Sequence, residues 1–308
     1  MVYLEQFRFP DEEVIEQWEA QNAAILNGYN SNIYPFQPLY GMKLFSLDFE
    51  PVTILCGGNG SGKSTVLNII SSKLGAERSA PFNTTVHFNS FVELCQYSEN
   101  INRPNNRWMC GSNGLSSMCH VITSDDIFYQ LHGKRMENES RIYKSGVLGD
   151  FWMKCKFGGE RLPKHLNFEN GYNVQEFKNV ADTYNQSLSK YTQSRIGELE
   201  RSFSNGESAL MELSNQLEHP GLYIFDELEN SLSAEYQEKL AEIIEFYASR
   251  GNCQFIIATH SPFIMAIAKA KIYNFDIHPV SLCNWWETAN ARAYFNLFSK
   301  HCEKFERK

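Results

Sequence analysis

The sequence predicts an α/β fold, a mixed and mostly parallel sheet flanked by helices. Three observations point to it. Beyond residue 200, short apolar runs alternate with helical stretches, the pattern of strands separated by crossover helices. The runs "VTILCG", "GLYIFDE" and "CQFIIATH" are apolar almost throughout, as strands buried on both faces are. A glycine-rich loop, "GGNGSGKS", sits between the first of these and an apolar helix, "KSTVLNIISSKL".

The elements follow in order. "YLEQFRF" alternates apolar and polar residues, as a half-buried strand does. "DEEVIEQWEAQNAAILNG" carries acids in its first turn and a glycine after its end, as a helix does. "MKLFSLDF" and "VTILCG" are two strands, the second the more apolar and central. Residues 80–200 hold loop-like "SENINRPNNRW" and "GSNGLSS" with helical pieces "SDDIFYQLH" and "YNVQEFKNVADTYNQSLSKY". Regular alternation then resumes. It runs helix 207–217, strand "GLYIFDE", helix "SAEYQEKLAEIIEFYASRG", strand "CQFIIATH", helix "SPFIMAIAKA", strand "KIYNFDI", and final helix "ETANARAYFNLFSKHCEKF". No internal repeat or low-complexity tract interrupts it.

Composition narrows the function classes. With 43% hydrophobic and 14% aromatic residues, the chain can bury a substantial core. A formal charge of -8 argues against a basic coat for nucleic acid, while leaving room for a local patch. Eight cysteines lie scattered without a CxxC pair, the usage of free thiols in a reducing cytoplasm. The N-terminal "MVYLEQFRFPDEEVIEQW" lacks a basic region followed by an apolar core, so it does not read as a signal peptide. No apolar run is long enough to span a bilayer.

The glycine loop fits G-x-x-x-x-G-K-[ST], with Gly57, Gly62, Lys63 and Ser64 at the fixed positions. Asn59, Gly60, Ser61 and Thr65 complete the cradle. Backbone N–H groups and the helix N-terminus suit phosphate oxygens. Lys63 would reach the β- and γ-phosphates and Ser64 would ligate magnesium, so ATP with Mg²⁺ is the expected cofactor pair. "LYIFDELENSL" ends a strand in Asp226 and Glu227. In a parallel sheet that end lies beside the phosphate loop, where Asp226 can hold the metal and Glu227 can act as general base on water. "FIIATHSPF" puts His260 at the end of a third strand, where it can hydrogen-bond a γ-phosphate. "SFSNGESALMEL" sets Ser204, Asn205, Gly206 and Glu207 at a helix start. That is an anion site or an ordinary cap.

The order of these pieces resembles the ATP-binding-cassette (ABC) ATPases. It is more closely similar to the stand-alone ABC-type, AAA-family ATPases related to the SMC and RecF-like repair enzymes. The matching stretches are "YPFQPL…LFSLDFEPVTILCGGNGSGKSTVLNII", "SNGES", "LYIFDELENSLS", "QFIIATHSPFIMA" and "ETANARAYFNLF". Residues 80–200 match poorly, "SNGES" is a divergent form of the signature LSGGQ, and Leu228 stands where a proline is usual. The resemblance implies a P-loop NTPase fold of ABC type over 1–308. Its core lobe would span about 1–80 and 215–308, and an insert and signature subdomain about 81–214. It implies two copies closing head to tail around ATP, with Ser204 and Gly206 of one facing Lys63 and Ser64 of the other. Glu229, Asn230 and Ser231 would occupy the segment that crosses the dimer interface. A metal-site glutamine should follow the loop helix, and Gln96 is the nearby candidate. An adenine-stacking aromatic should precede the loop, and Tyr34, Phe36 and Tyr40 are all available.

The expected function is therefore an ATP-hydrolysing switch that controls a separate effector such as a nuclease or toxin, or a nucleic-acid transaction. Relatives of this kind serve DNA repair and antiphage defence. A transporter motor and a non-hydrolysing nucleotide sensor are the alternatives. The 48 residues after His260 are too few for the acidic metal domain of nucleases of the overcoming-lysogenization-defect type. Residues 134–164 carry a local net charge of +4, either a solvated face or a partner patch. Cys110, Cys119 and His120 match no usual zinc spacing.

Overall fold

The computed structural model describes residues 2–22, 34–76, 78, 81–99, 114–157, 172–196, 205–217 and 219–306. The described elements are β1 (Leu4–Arg8), α1 (Glu12–Gln21), α2 (Phe36–Met42), β2 (Ser46–Asp48), β3 (Val52–Cys56), α3 (Lys63–Leu74), α4 (Phe88–Leu94), β4 (Gln96–Glu99), β5 (Cys119–Thr123) and α5 (Ser124–Phe157). They continue as α6 (Tyr172–Asn185), α7 (Leu188–Ile196), α8 (Asn205–Gln216), β6 (Gly221–Asp226), α9 (Ala234–Ser249), β7 (Cys253–Thr259), α10 (Pro262–Met265), β8 (Lys271–Asn274), β9 (Ser281–Leu282), α11 (Ala289–Lys300) and α12 (Cys302–Glu306). Two compact units emerge: Met1–Phe128 with Asn205–Lys308, and Tyr129–Ser204. Residues 81–128, read from sequence as part of the insert, belong to the first unit because β4 and β5 enter its sheets.

The first unit is built on a six-stranded sheet of order β5-β6-β7-β3-β8-β9. β5, β6, β7, β3 and β8 run parallel, and β9 turns back antiparallel to β8. Every residue of β3, β6 and β7 is buried, which explains their unbroken apolar sequences. On one face Leu222, Ile224, Ile256 and Ala258 join a large cluster with Val66, Leu67 and Ile70 of α3. The alternate residues form an aromatic cluster, Tyr223 stacked on Phe255 and Phe225 tilted against it. Full burial of each such side chain contributes about 1.5–3 kcal/mol. α3 ends where Gly75 adopts φ 70° and its N–H closes on Ser71 and Ser72 carbonyls, a common helix stop.

A second, antiparallel sheet has the order β2-β1-β4. The fully buried Gln254 of β7 joins the two sheets. Its Oε1 accepts from the N–H groups of Tyr3 and Leu4, at 2.7 and 2.9 Å, and its Nε2 donates to the Leu4 carbonyl at 2.9 Å.

Several boundaries depart from the sequence expectation. α1 is described to Gln21, and the rest of the predicted helix falls mostly outside the described residues. "MKLFSLDF" yields a strand only at Ser46–Asp48, because Met42 closes α2 and Lys43 turns left-handed at φ 48°. "SPFIMAIAKA" is helical for a single turn, since Lys269 is left-handed at φ 61° and the Ala268 N–H is taken by Glu245 Oε1 at 2.7 Å. The last predicted helix breaks at His301 into α11 and α12.

The second unit is helical. Trp152 Nε1 donates to the Gln186 carbonyl at 3.2 Å and Tyr184 Oη donates to the Cys155 carbonyl at 3.0 Å. Arg195 pairs with Asp182 at 2.8 Å while stacking over Tyr191. The described part of the basic segment has local partners: Arg141 pairs with Glu137 at 2.6 Å, and Lys156 sits over the Trp152 ring. No described helix is long and apolar enough to cross a membrane.

Candidate functional site

Parallel register brings the candidate residues to one edge of the sheet. Cys56, the last residue of β3, lies opposite Thr259 of β7 and Asn274 of β8, and Asp226 lies opposite Ala258. The loops carrying Gly57–Ser64, Glu227, His260 and Asp276 therefore leave the sheet on the same side, the side where ligands bind in such folds.

The glycine loop has the backbone its sequence demands. Gly62 has φ 92°, and the Met42 side chain fills the place a Cβ would take. Asp276 fastens the loop's other end: its Oδ1 accepts from the Gly58 N–H at 2.7 Å. Lys63 is buried, and its Nζ donates to the carbonyls of Gly57 and Gly58 at 2.9 and 3.0 Å. The Ser61 hydroxyl is buried without a partner, as a group waiting for a phosphate oxygen would be. Tyr34 Oη donates to Thr65 Oγ1 at 2.9 Å. Of the three aromatic candidates, Phe36 is committed to the core, stacked on Trp18, and Tyr40 is half exposed.

The acidic pair meets the loop. Ser64 Oγ donates to Asp226 Oδ1 at 2.7 Å. Burial raises the Asp226 carboxyl above the ordinary aspartate value, against the lowering effects of the Ser64 hydrogen bond and of Arg78. A hydroxyl and a carboxylate side by side form a hard oxygen donor set of the kind magnesium prefers. Glu227 Oε1 lies 3.4 Å from Lys63 Nζ, and its Oε2 accepts from Asn230 Nδ2 at 3.3 Å. Glu227 itself is left-handed at φ 50°, ψ 46°. That backbone is unfavourable for a residue with a Cβ, and such outliers cluster at functional positions.

His260 and the loop share one cavity. A space of about 410 Å³ is lined by Gly57, Gly58, Asn59, His260, Asp276 and Asn290. The His260 carbonyl accepts from Asn290 Nδ2. Its ring Nδ1 lies 3.3 Å from Glu229 Oε1. Glu229 is buried.

Other candidates are placed differently. Gln96 begins β4, exposed and in register with Arg8; among the described residues no hydrogen bond joins it to Ser64 or Asp226. Ser204 and the Asn205 side chain lie outside the described residues. Gly206 is buried against the Tyr236 ring, which occupies the position of a Cβ there, and Glu207 is exposed. Cys119 and His120 serve β5, His120 stacking on Tyr223. Burial, then His219, lowers the His120 pKa.

Sequence reasoning missed Arg78. Its Nη2 lies 3.4 Å from Asp226 Oδ2 and its Nη1 donates to Asn68 Oδ1. No motif surrounds it, and a basic residue after a helix is ordinary.

The family model described as RecF/RecN/SMC N terminal domain matches residues 36–277. No curated protein sequence matches the chain. Among solved structures, the chain is similar to the SMC head domain from Thermotoga maritima, at 14% identity and TM-score 0.37, covering 92% of this chain and 98% of that one. It is also similar to an Smc head domain with an extended coiled coil, bound to the C-terminal domain of ScpA and derived from Pyrococcus furiosus. There the identity is 12% and the TM-score 0.36, covering 97% and 99%. A third likeness is cbiO1 from Clostridium perfringens, part of the ABC transporter complex cbiONQ, at 13% identity and TM-score 0.33, covering 85% and 88%.

Proposed function

This chain belongs to the RecF/RecN/SMC N-terminal domain family, and from that premise we propose that it is an ATP-hydrolysing switch whose two copies close head to tail and thereby control a separate effector protein. The observation that carries the reading is the meeting of two chain segments at one sheet edge: Lys63 and Ser64 against Asp226 and Glu227.

When bound, ATP supplies the phosphoanhydride to be cleaved and Mg²⁺ supplies charge neutralisation at its oxygens. The chain's own residues do the rest. Loop N–H groups and the Ser61 hydroxyl hold phosphate oxygens. Ser64 and Asp226 would hold the metal. Lys63 offers positive charge to the terminal phosphate. Glu227, next to Lys63, takes the proton of the attacking water at its carboxylate, and His260 orients the reacting groups from the shared cavity. Tyr34, whose hydroxyl donates to Thr65 on the loop helix, is the aromatic that would meet the base. Ser204 and Gly206 of a second copy complete the site. The effector class is a nuclease or toxin on another chain, a reading supported by the family resemblance.

Glu227→Gln tests this. With ATP and Mg²⁺, the variant is expected to lose hydrolysis by about 10²–10⁴-fold and to accumulate as a dimer on size-exclusion chromatography. If hydrolysis persists and no dimer accumulates, the reading fails.

A further inference from the structure

Glu229 is the most buried carboxylate among the described residues, only 4% exposed. Its two oxygens are used very unequally. Oε1 accepts from Thr259 Oγ1 at 2.5 Å and from the His260 backbone N–H at 2.8 Å. Oε2 is buried with no partner, and so is Nδ1 of the His260 ring. The ring nitrogen stands only 3.3 Å from Oε1, too poorly aligned for a hydrogen bond. A buried polar atom without a partner is destabilising, and here a ring nitrogen able to donate lies beside a carboxylate able to accept. A small rotation of the ring would align Nδ1–H on the carboxylate beside it. The carboxylate is held by its bonds to Thr259 and the backbone, so the imidazole is the group that turns.

We propose that Glu229 is a positioning residue for His260: its carboxylate accepts a hydrogen bond from the ring Nδ1–H, favouring the Nδ1–H tautomer of the imidazole. The partner of one ring nitrogen sets the state of the other. Nδ1 is buried while the side chain as a whole is 37% exposed, so the open part of the ring is the rest of it, including Nε2. In the Nδ1–H tautomer Nε2 carries a lone pair. It accepts a hydrogen bond from water at the terminal phosphate and does not donate to the phosphate itself. This rests on the reading of His260 as a residue of the ATP site and refines what it does there. It also explains why an acid stands two residues after the catalytic one: Glu227 acts from the strand end, and Glu229 steadies the histidine from behind.

The test is ¹⁵N NMR of the imidazole nitrogens in the full chain, with His260 assigned from the signal missing in His260→Asn. The wild type is expected to show the Nδ1–H pattern and Glu229→Ala the Nε2–H pattern usual in solution. In Glu229→Gln, the amide oxygen can still accept, so the wild-type pattern should be retained in part. Hydrolysis should fall by about 10–100-fold in Glu229→Ala, the range seen when an orienting partner is lost, with part of it restored in Glu229→Gln. If the wild-type ring is Nε2–H, or if Glu229→Ala leaves the pattern unchanged, the proposal is overturned. Should Glu229→Ala fail to fold, the wild-type and Glu229→Gln spectra decide. Unchanged hydrolysis in His260→Ala would instead remove the functional reading of His260 while leaving the tautomer result standing.

Discussion

Ser64 Oγ and Asp226 Oδ1 are 2.7 Å apart, although β7 separates the strands that lead to them. The sheet thus brings a hydroxyl and a carboxyl group together from segments more than 160 residues apart in sequence. The carboxyl pKa of Asp226 is raised, chiefly by burial. A raised acid holds its proton to higher pH in the folded state than in the unfolded chain. Its contribution therefore favours folding below the ordinary aspartate value and is lost as pH rises through the folded value. Asp226→Asn removes that term. Thermal midpoints followed upward from acid pH should decline more in the wild type than in Asp226→Asn, with Mg²⁺ absent. Parallel curves would contradict this.

Glu227 sits at φ 50°, so its two simplest truncations should differ. Glu227→Ala and Glu227→Gly both remove the carboxylate and its contact with Lys63. Only glycine also relieves the left-handed backbone, worth about 1–2 kcal/mol, against about 0.5–1 kcal/mol of extra unfolded-state entropy. Glu227→Gly should be the more stable by about 0.5–1 kcal/mol in urea denaturation.

Gln254 satisfies the Tyr3 and Leu4 N–H groups and the Leu4 carbonyl in a fully buried place. Gln254→Leu strands all three, each worth about 1–3 kcal/mol when unmade. A loss of about 3 kcal/mol or more is expected from equilibrium unfolding, without any change in Gly57–Ser64, Asp226 or Glu227.

Gly206 faces the Tyr236 ring. Alanine favours a helix over glycine by up to about 1 kcal/mol, less in the first turn where Gly206 sits, yet here overpacking opposes it at about 1–3 kcal/mol. Gly206→Ala should destabilise the fold in the wild-type background and stabilise it in Tyr236→Ala. A double-mutant cycle reads the coupling directly.

How much of this was legible depends on what kind of information each feature carries. The loop from Gly57 to Ser64, Asp226 and Glu227 could be read because fixed spacing and a flanking buried strand are written along the chain. β4 could not, since "QYSE" is short and almost wholly exposed, so no apolar alternation marks it. β5 went unread because only five residues form it and it follows a polar stretch. α5 was seen only at its start, because apolar residues are spread around it without a clear stripe. Arg78 was not read at all, and Glu229 was read only as part of an expected dimer-crossing segment, for a different reason. Each is a charged residue that turns inward to a partner far along the chain, Asp226 for one and Thr259 for the other, and residue type gives no sign of such a turn.

The position of β3 sets a timetable for synthesis. It is flanked in the sheet by β7 and β8, the second of which ends at Asn274. A nascent chain on the ribosome carries the glycine loop early but cannot complete the strand's hydrogen-bond ladder until the chain has emerged through Asn274. Such long-range closure slows folding and leaves an apolar strand exposed while it waits. Chaperone capture during translation should therefore concentrate on "VTILC", and chains truncated before residue 271 should bind no nucleotide.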